Sequence, residues 1–215
     1  MVHYAAGILP ITWTTSGTLL FLIGQDVRDA SWSDFGGKCE KADRGDIVAT
    51  ACREFFEETY GCVLDVKALW QRMHPSNYIL LKSKTQNGHP YYMFVVEVPF
   101  APHLRNAFLK TLGFLRYKDM HRVYVEKTDV QWVTLESLRA PALHKRSVFA
   151  NTIDTHEAIL DRLNALPPGV SWASACAALS RPAVSRLQTE TMTAAAPAAA
   201  PAAPAHTDAN ADDSA

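Results

Sequence analysis

The chain has 215 residues, 48% of them hydrophobic and 20% charged, with a formal net charge of −1. That length and apolar fraction suit one domain with additions around a substantial core and argue against two full domains. Near-neutrality argues against a surface that coats nucleic acid, though it leaves room for a local basic patch, and no apolar run approaches the ~20 residues that a bilayer requires. Cys39, Cys52, Cys62 and Cys176 show neither paired spacing nor a C-x-x-C motif, so they read as free thiols. With no basic region followed by an apolar core at the N-terminus, the expectation is a soluble intracellular protein, cytoplasmic or nuclear, with no membrane partner.

In chain order, residues 3–13 and 18–24 are apolar, β-rich runs separated by Thr14-Thr15-Ser16-Gly17, the pattern of a hairpin. The second run lacks polar alternation and reads as a central strand buried on both faces. A polar loop from Asp26 to Asp34 then leads to a turn at Gly36-Gly37-Lys38. From Asp46, a good N-cap, Val48, Ala51, Cys52 and Phe55 recur at helical spacing up to Thr59. Residues 62–70, 77–83 and 90–98 read as strands, with Asn87-Gly88 turning between the last two. Leu104, Ala107, Phe108, Leu112 and Leu115 predict a helix after Pro102 that weakens at Gly113. A short strand at 130–133 follows, then a helical turn at 135–139 and one amphipathic helix over 151–165, stopped by Pro167-Pro168-Gly169. The domain is expected over 1–166, an extension over 167–190 and a disordered Ala/Pro-rich tail over 191–215, where Pro197, Pro201 and Pro204 interrupt the alanines.

The densest chemistry lies in Arg53-Glu54-Phe55-Phe56-Glu57-Glu58-Thr59-Tyr60-Gly61. Residues three and four apart on a helix share a face, so Glu54, Glu57 and Glu58 are expected to project together while Arg53 reaches Glu57. Like charges so placed repel by a few tenths of a kcal/mol each (~0.2–0.5) unless a cation gathers them. Hard carboxylate oxygens suit Mg2+ or Mn2+. The plain alternative is an acidic helix edge facing solvent.

The order Gly37, an acid at Asp43 or Asp46, then Arg53-Glu54-x-x-Glu57-Glu58 resembles the signature box of Nudix hydrolases, written G-x5-E-x7-R-E-U-x-E-E-x-G-U. Asp43 stands two residues too far from Arg53 and Asp46 one too close, as a loop insertion would produce, and Tyr60 takes the usual glycine place with Gly61 one later. The resemblance implies an α/β/α sandwich around a mixed sheet, and a divalent-metal-dependent hydrolase that cleaves a phosphoanhydride by water attack on phosphorus. It further implies that Glu54, Glu57 and Glu58 bind metal with a backbone oxygen near Gly36. Arg53 would hold Glu57, Glu54 would bind metal or take the proton of water, and a fourth acid would come from Glu126, with Asp129 in reserve.

Outside the box, Lys38 is a candidate phosphate contact, and Arg105, Lys110, Arg116, Lys118, Arg122 and Lys127 face only Asp119 and Glu126 in a locally basic segment. Lys118 and Arg122 are the substrate-binding candidates there. Trp32, Tyr78, Tyr117 and Tyr124 could stack on a base, although packing is the commoner fate of such rings. The expected partner is a nucleotide-type small molecule, with RNA also open. Two other readings stand beside the hydrolase: an inactive Nudix-fold nucleotide sensor or binding module, and an RNA cap-cleaving enzyme. No structural zinc spacing, P-loop or G-x-S-x-G elbow occurs.

Overall fold

The computed structural model describes residues 3–118, 125–167 and 169–180. Its centre is a seven-stranded mixed sheet: β1 (Ala5–Trp13), β2 (Leu19–Asp26), β3 (Trp32–Ser33), β4 (Phe35–Lys38), β5 (Tyr78–Lys84), β6 (Pro90–Glu97) and β7 (Lys127–Val133). The strand order is β3-β2-β1-β6-β5, with β4 added on β1 and β7 on β2. β1 and β2 pair antiparallel from Ile11 opposite Phe21 to Trp13 opposite Leu19, the hairpin anticipated from Thr14–Gly17. β1 and β6 run parallel, whereas the other pairs are antiparallel.

Helices cover both faces, so the alternation of the strands sorts apolar side chains into two cores. Ala6, Ile8, Leu22, Phe94, Val96 and Val130 meet α1 (Ile47–Thr59), α2 (Val66–Arg72) and α3 (Leu104–Tyr117). Leu9, Ile11, Phe21, Ile23, Met93 and Val95 meet α4 (Leu135–Arg139), α5 (Ser147–Thr155), α6 (Glu157–Asn164) and α7 (Trp172–Leu179). This is the α/β sandwich that the sequence predicts.

Two expectations change. Residues 66–72 are helix and not strand: the Asp65 carboxylate accepts from Ala68 N–H as an N-cap, and Leu69 plugs the α1 face. The helix predicted over 151–165 is two, broken at His156, where the backbone leaves helical geometry and Nε2 meets the Lys82 carbonyl at 2.9 Å. Gly113 lies near the end of α3, which runs on to Tyr117. Within the segment read as an extension, α7 buries Trp172, Ala175, Cys176 and Leu179 in the second core, and the Trp172 indole donates to the Asn77 carbonyl at 2.7 Å. The tail beyond Ser180 lies outside the described residues.

Candidate active site

The site begins with the cap of α1. Asp46 accepts from Val48 and Ala49 N–H, starting the helix behind a tight loop, and Tyr60 closes it in the left-handed region at φ 55°, followed by Gly61 at φ 66°. The Tyr60 hydroxyl donates to the Lys127 carbonyl at 3.0 Å, and its ring stacks on Phe108. An altered helix end is therefore stabilised by its own side chain.

Arg53 organises the outer edge. Its Nε and Nη2 donate to Asp43 at 3.0 Å each, Nη2 also to the Lys38 carbonyl at 2.9 Å, and Nη1 lies 3.0 Å from Glu54 and 3.1 Å from Glu57. Asp43, buried, further accepts from Glu40 N–H and Thr50 Oγ1. Burial alone would raise its pKa, but Arg53 and these donors outweigh that and hold it below the ordinary carboxylate range. Asp43 is thus the anchor of the arginine, and Asp46 the cap; neither faces the cluster as a ligand.

Glu54 is the most constrained acid on that edge. Gly37 has no side chain, and the space a Cβ would fill there is taken by the Glu54 carboxylate, whose atoms lie 2.4–2.5 Å from where that Cβ would sit. Burial pushes Glu54 up to about 7 against the pull of Arg53, with the charges of Glu57 and Glu126 adding to the rise. Burial also raises Glu57 against Arg53, with the charges of Glu40 and Glu126 adding to the rise, and it is less enclosed. Glu126 is partly exposed, 3.9 Å from Arg28, and its charge reaches Glu54, Glu57 and Glu58.

Glu58 is the most deeply buried of the three acids. Ala51, Phe55 and Glu58 fall at i, i+4 and i+7, so this carboxylate rides the buried stripe of α1, with the charges of Glu54 and Glu126 still reaching it. Its Oε2 accepts from Gly36 N–H at 2.7 Å, and Oε1 lies 3.3 Å from the Lys127 ammonium without a hydrogen bond. Burial raises its pKa while Lys127 pulls it down. Gly36 is engaged at its N–H, with its Cα face closed by Gly7 and the Ala6 carbonyl.

Lys127, counted in the sequence as surface charge, is fully buried, and Nζ donates to Ser33 Oγ at 2.8 Å. Its neighbour Asp34 is equally buried and accepts from the Tyr91 hydroxyl at 2.5 Å. Burial raises Asp34 to about 6 against Tyr91, Lys127 and Arg146, and pushes the Tyr91 hydroxyl well above its ordinary value. From sequence Asp34 reads only as the end of a polar loop before Phe35-Gly36-Gly37, and Lys127 only as one charge of the basic segment.

The remaining candidates scatter. Lys38 is exposed at the end of β4 and lines a cleft of about 170 Å³ with Arg146, Asp34 and Tyr91. Lys118 ends α3 with its ammonium 6.0 Å and 5.7 Å from the ring centres of Phe114 and Tyr117. Asp129 is taken by a bidentate pair with Arg105 at 2.8 and 2.7 Å. Tyr78 packs edge-on against Phe94, and Trp32 packs against the second core. Arg122, Asp119 and Tyr124 lie outside the described residues. An open cleft of about 460 Å³ beside Glu126 is lined by Val27, Arg28, Arg116 and Val125. The cleft of about 370 Å³ at Trp13–Gly17 and Leu166–Val170 shares no residue with the acidic cluster.

Among the described residues no three acids, histidines or cysteines already stand as a metal cage. The donor chemistry still fits a divalent cation at the outer edge. Two neighbouring carboxylates held in place by Gly37 and Arg53, with a third acid nearby, match Mg2+, which takes one or two carboxylates and completes its shell with water and substrate phosphate.

No protein-family model matches the chain, and no curated protein matches it. Solved structures that it is similar to include a Nudix hydrolase from M. smegmatis, RenU, at 12% identity and TM-score 0.46, covering 76% of this chain and 90% of that one. Others are the C. elegans Ap4A hydrolase, at 16% identity and TM-score 0.45 over 74% and 99%, and the NUDIX domain of Shewanella oneidensis NrtR complexed with ADP ribose, at 14% and 0.43 over 74% and 87%. These are likenesses to Nudix proteins in fold, at 12–16% identity.

Proposed function

We propose that the chain is a divalent-metal-dependent hydrolase of a phosphoanhydride in a nucleotide-containing substrate. The observation that carries this reading is the Glu54 carboxyl, fitted into the space left by the missing side chain of Gly37 and held 3.0 Å from Arg53, whose Nη1 also holds Glu57 at 3.1 Å. Glu57 would hold Mg2+ or Mn2+, which would supply charge neutralisation on the phosphate oxygens and a more acidic water, and Glu54 beside it is placed to take the proton of that water.

The chain's own groups divide the remaining work. Glu54 accepts the proton as water oxygen bonds to phosphorus; the bridging P–O bond breaks, and its electron pair leaves with the second phosphate. Arg53 fixes both glutamates on the loop that carries Lys38. Arg116, on the 460 Å³ cleft beside Glu126, offers a guanidinium fork for phosphate oxygens, whereas Arg28 on the same cleft is already held by both oxygens of Asp26. The test is a Mg2+/Mn2+ screen against nucleotides, dinucleotides, capped RNA and inositol pyrophosphates with products identified by mass. Metal-dependent cleavage lost in Glu54→Gln and Glu57→Gln supports the reading; an inert wild type refutes it.

A second reading, a nucleotide-binding module without turnover, draws support from Glu58 being paired with Lys127 and from Arg53 Nη1 lying between Glu54 and Glu57. It predicts nucleotide binding unaccompanied by cleavage. The RNA cap-cleaving reading has less support: of the basic segment, Lys127 is buried and Arg105 is neutralised by Asp129.

A further inference from the structure

We propose that Lys127 is a resident cation that occupies the inner end of the glutamate cluster, so that divalent cations bind only at the outer carboxylates and Glu58 acts as a positioning residue for the Gly36–Gly37 turn. The inference rests on the metal-binding reading above and departs from it at Glu58, which the signature box would make a ligand.

Three observations carry it. The Lys127 side chain is fully buried and Glu58 is 2% exposed, so the pair is cut off from solvent. A lone buried ammonium or carboxylate costs several kcal/mol, so each requires the other (~3–5 kcal/mol is lost when one partner is removed). The lysine's path is left open: a Cβ at Gly24 would meet the Phe35 ring at 2.8 Å and Lys127 Cδ and Cε at 3.1 and 3.3 Å, so β2 omits a side chain where the Phe35 ring and the lysine stem pass. Finally, Nζ reaches Ser33 in β3 at 2.8 Å and Glu58 in α1 at 3.3 Å, while Glu58 Oε2 holds Gly36 N–H in β4 at 2.7 Å.

These contacts form one line from β3 through β7 and α1 to β4. The ammonium therefore does at Glu58 what a metal ion would do for charge, and adds what a metal ion would not, a covalent tether to the sheet. Glu58 keeps Gly36 in place, and Gly36 carries Gly37, against which Glu54 rests. Since Lys127 cannot leave without unpacking β7, Glu58 contributes no oxygen to an exchangeable ion.

The test is Mn2+ titration of the full chain, with bound ion counted by electron paramagnetic resonance and thermal unfolding followed with and without Mn2+. The variants are Glu57→Gln, Glu58→Gln, Lys127→Met and, as a second neutral substitution that keeps a donor for Ser33, Lys127→Gln. Glu58→Gln is expected to bind Mn2+ within about twofold of wild type, while Glu57→Gln loses at least about tenfold, the cost of one ligand. The folded Lys127 variant is expected to take up one additional Mn2+ and to regain with it the thermal stability it lacks in chelator. Loss of Mn2+ in Glu58→Gln equal to that in Glu57→Gln would overturn the proposal, as would a folded Lys127 variant with no added ion. A wild type that binds no Mn2+ refutes the metal-dependent function alone; the lysine inference then stands or falls on the ion gained by the Lys127 variants.

Discussion

Gly36 and Gly37 are adjacent, yet an added methyl group should do opposite things at the two positions. At Gly37 a Cβ would fall 2.4 Å from Glu54 Oε1 and 2.5 Å from its Cδ and Oε2. Comfortable non-bonded separations begin at about 3.5 Å, so the carboxyl must retreat by about 1 Å. It is the far end of a flexible side chain, so the move costs only about 1 kcal/mol of rotamer strain and leaves α1 in place. A 1 Å displacement of a reacting group, however, costs on the order of 100-fold in rate. At Gly36 the methyl would meet Gly7 Cα at 2.6 Å and the Ala6 carbonyl at 2.8 Å, both backbone of β1. Nothing there can rotate away, and overpacking of this kind costs about 1–3 kcal/mol or more. Urea unfolding and Mn2+-dependent hydrolysis on both variants separate the effects. Gly37→Ala should unfold near the wild-type midpoint but turn over about 100-fold slower, whereas Gly36→Ala should lose stability first. A Gly37→Ala protein of wild-type activity would refute the placement of Glu54.

Other perturbations read other parts of the site. Asp34 is buried and its folded pKa lies near 6, above the ~4 of an unfolded Asp. The fold prefers its neutral form, so this contribution to stability is fully present below about pH 4 and is lost as pH rises to about 6. Over that window wild type should lose about 3 kcal/mol relative to Asp34→Asn in unfolding titrations; parallel curves would contradict the burial of a charge-averse carboxyl. Arg53→Ala strands the buried Asp43 and releases Glu54 and Glu57, so it should destabilise by about 3 kcal/mol in urea and weaken Mn2+-dependent turnover together. Trp172→Ala removes the α7 anchor against Trp13 and Asn77 and should cost about 3–5 kcal/mol by thermal unfolding, a loss too large for an appendage outside the folded unit.

Much of the layout was legible because its signals are local. Alternation and turn residues located the β1–β2 and β5–β6 hairpins, and Asp46 with the Ala51–Phe55 stripe located α1. Residues 66–72 misled because Val66, Ala68 and Leu69 suit a strand as well as a helix turn, and the deciding contact, the Asp65 cap, depends on one side-chain rotamer. At the site, the Arg53–Glu57 pair followed from i,i+4 spacing, but the fate of Glu58 did not. Its partner Lys127 is 69 positions away in sequence and meets it only because β7 pairs with β2, beside β3 and α1. A lysine in a basic stretch reads as surface charge until that pairing is known. For the same reason Asp34 and Tyr91, 57 residues apart, gave no joint signal.

The claim on which the account turns is that the Glu54–Glu57 edge binds a divalent ion to break a phosphoanhydride with water. The direct measurement is reaction of wild type and Glu54→Gln with a nucleotide panel and Mn2+ in 18O-labelled water, with products resolved by mass. The account predicts two phosphate-bearing products, one carrying a single label, formed only with metal and suppressed at least about 100-fold in the variant. Unlabelled products, cleavage indifferent to metal, or full activity in Glu54→Gln would contradict it.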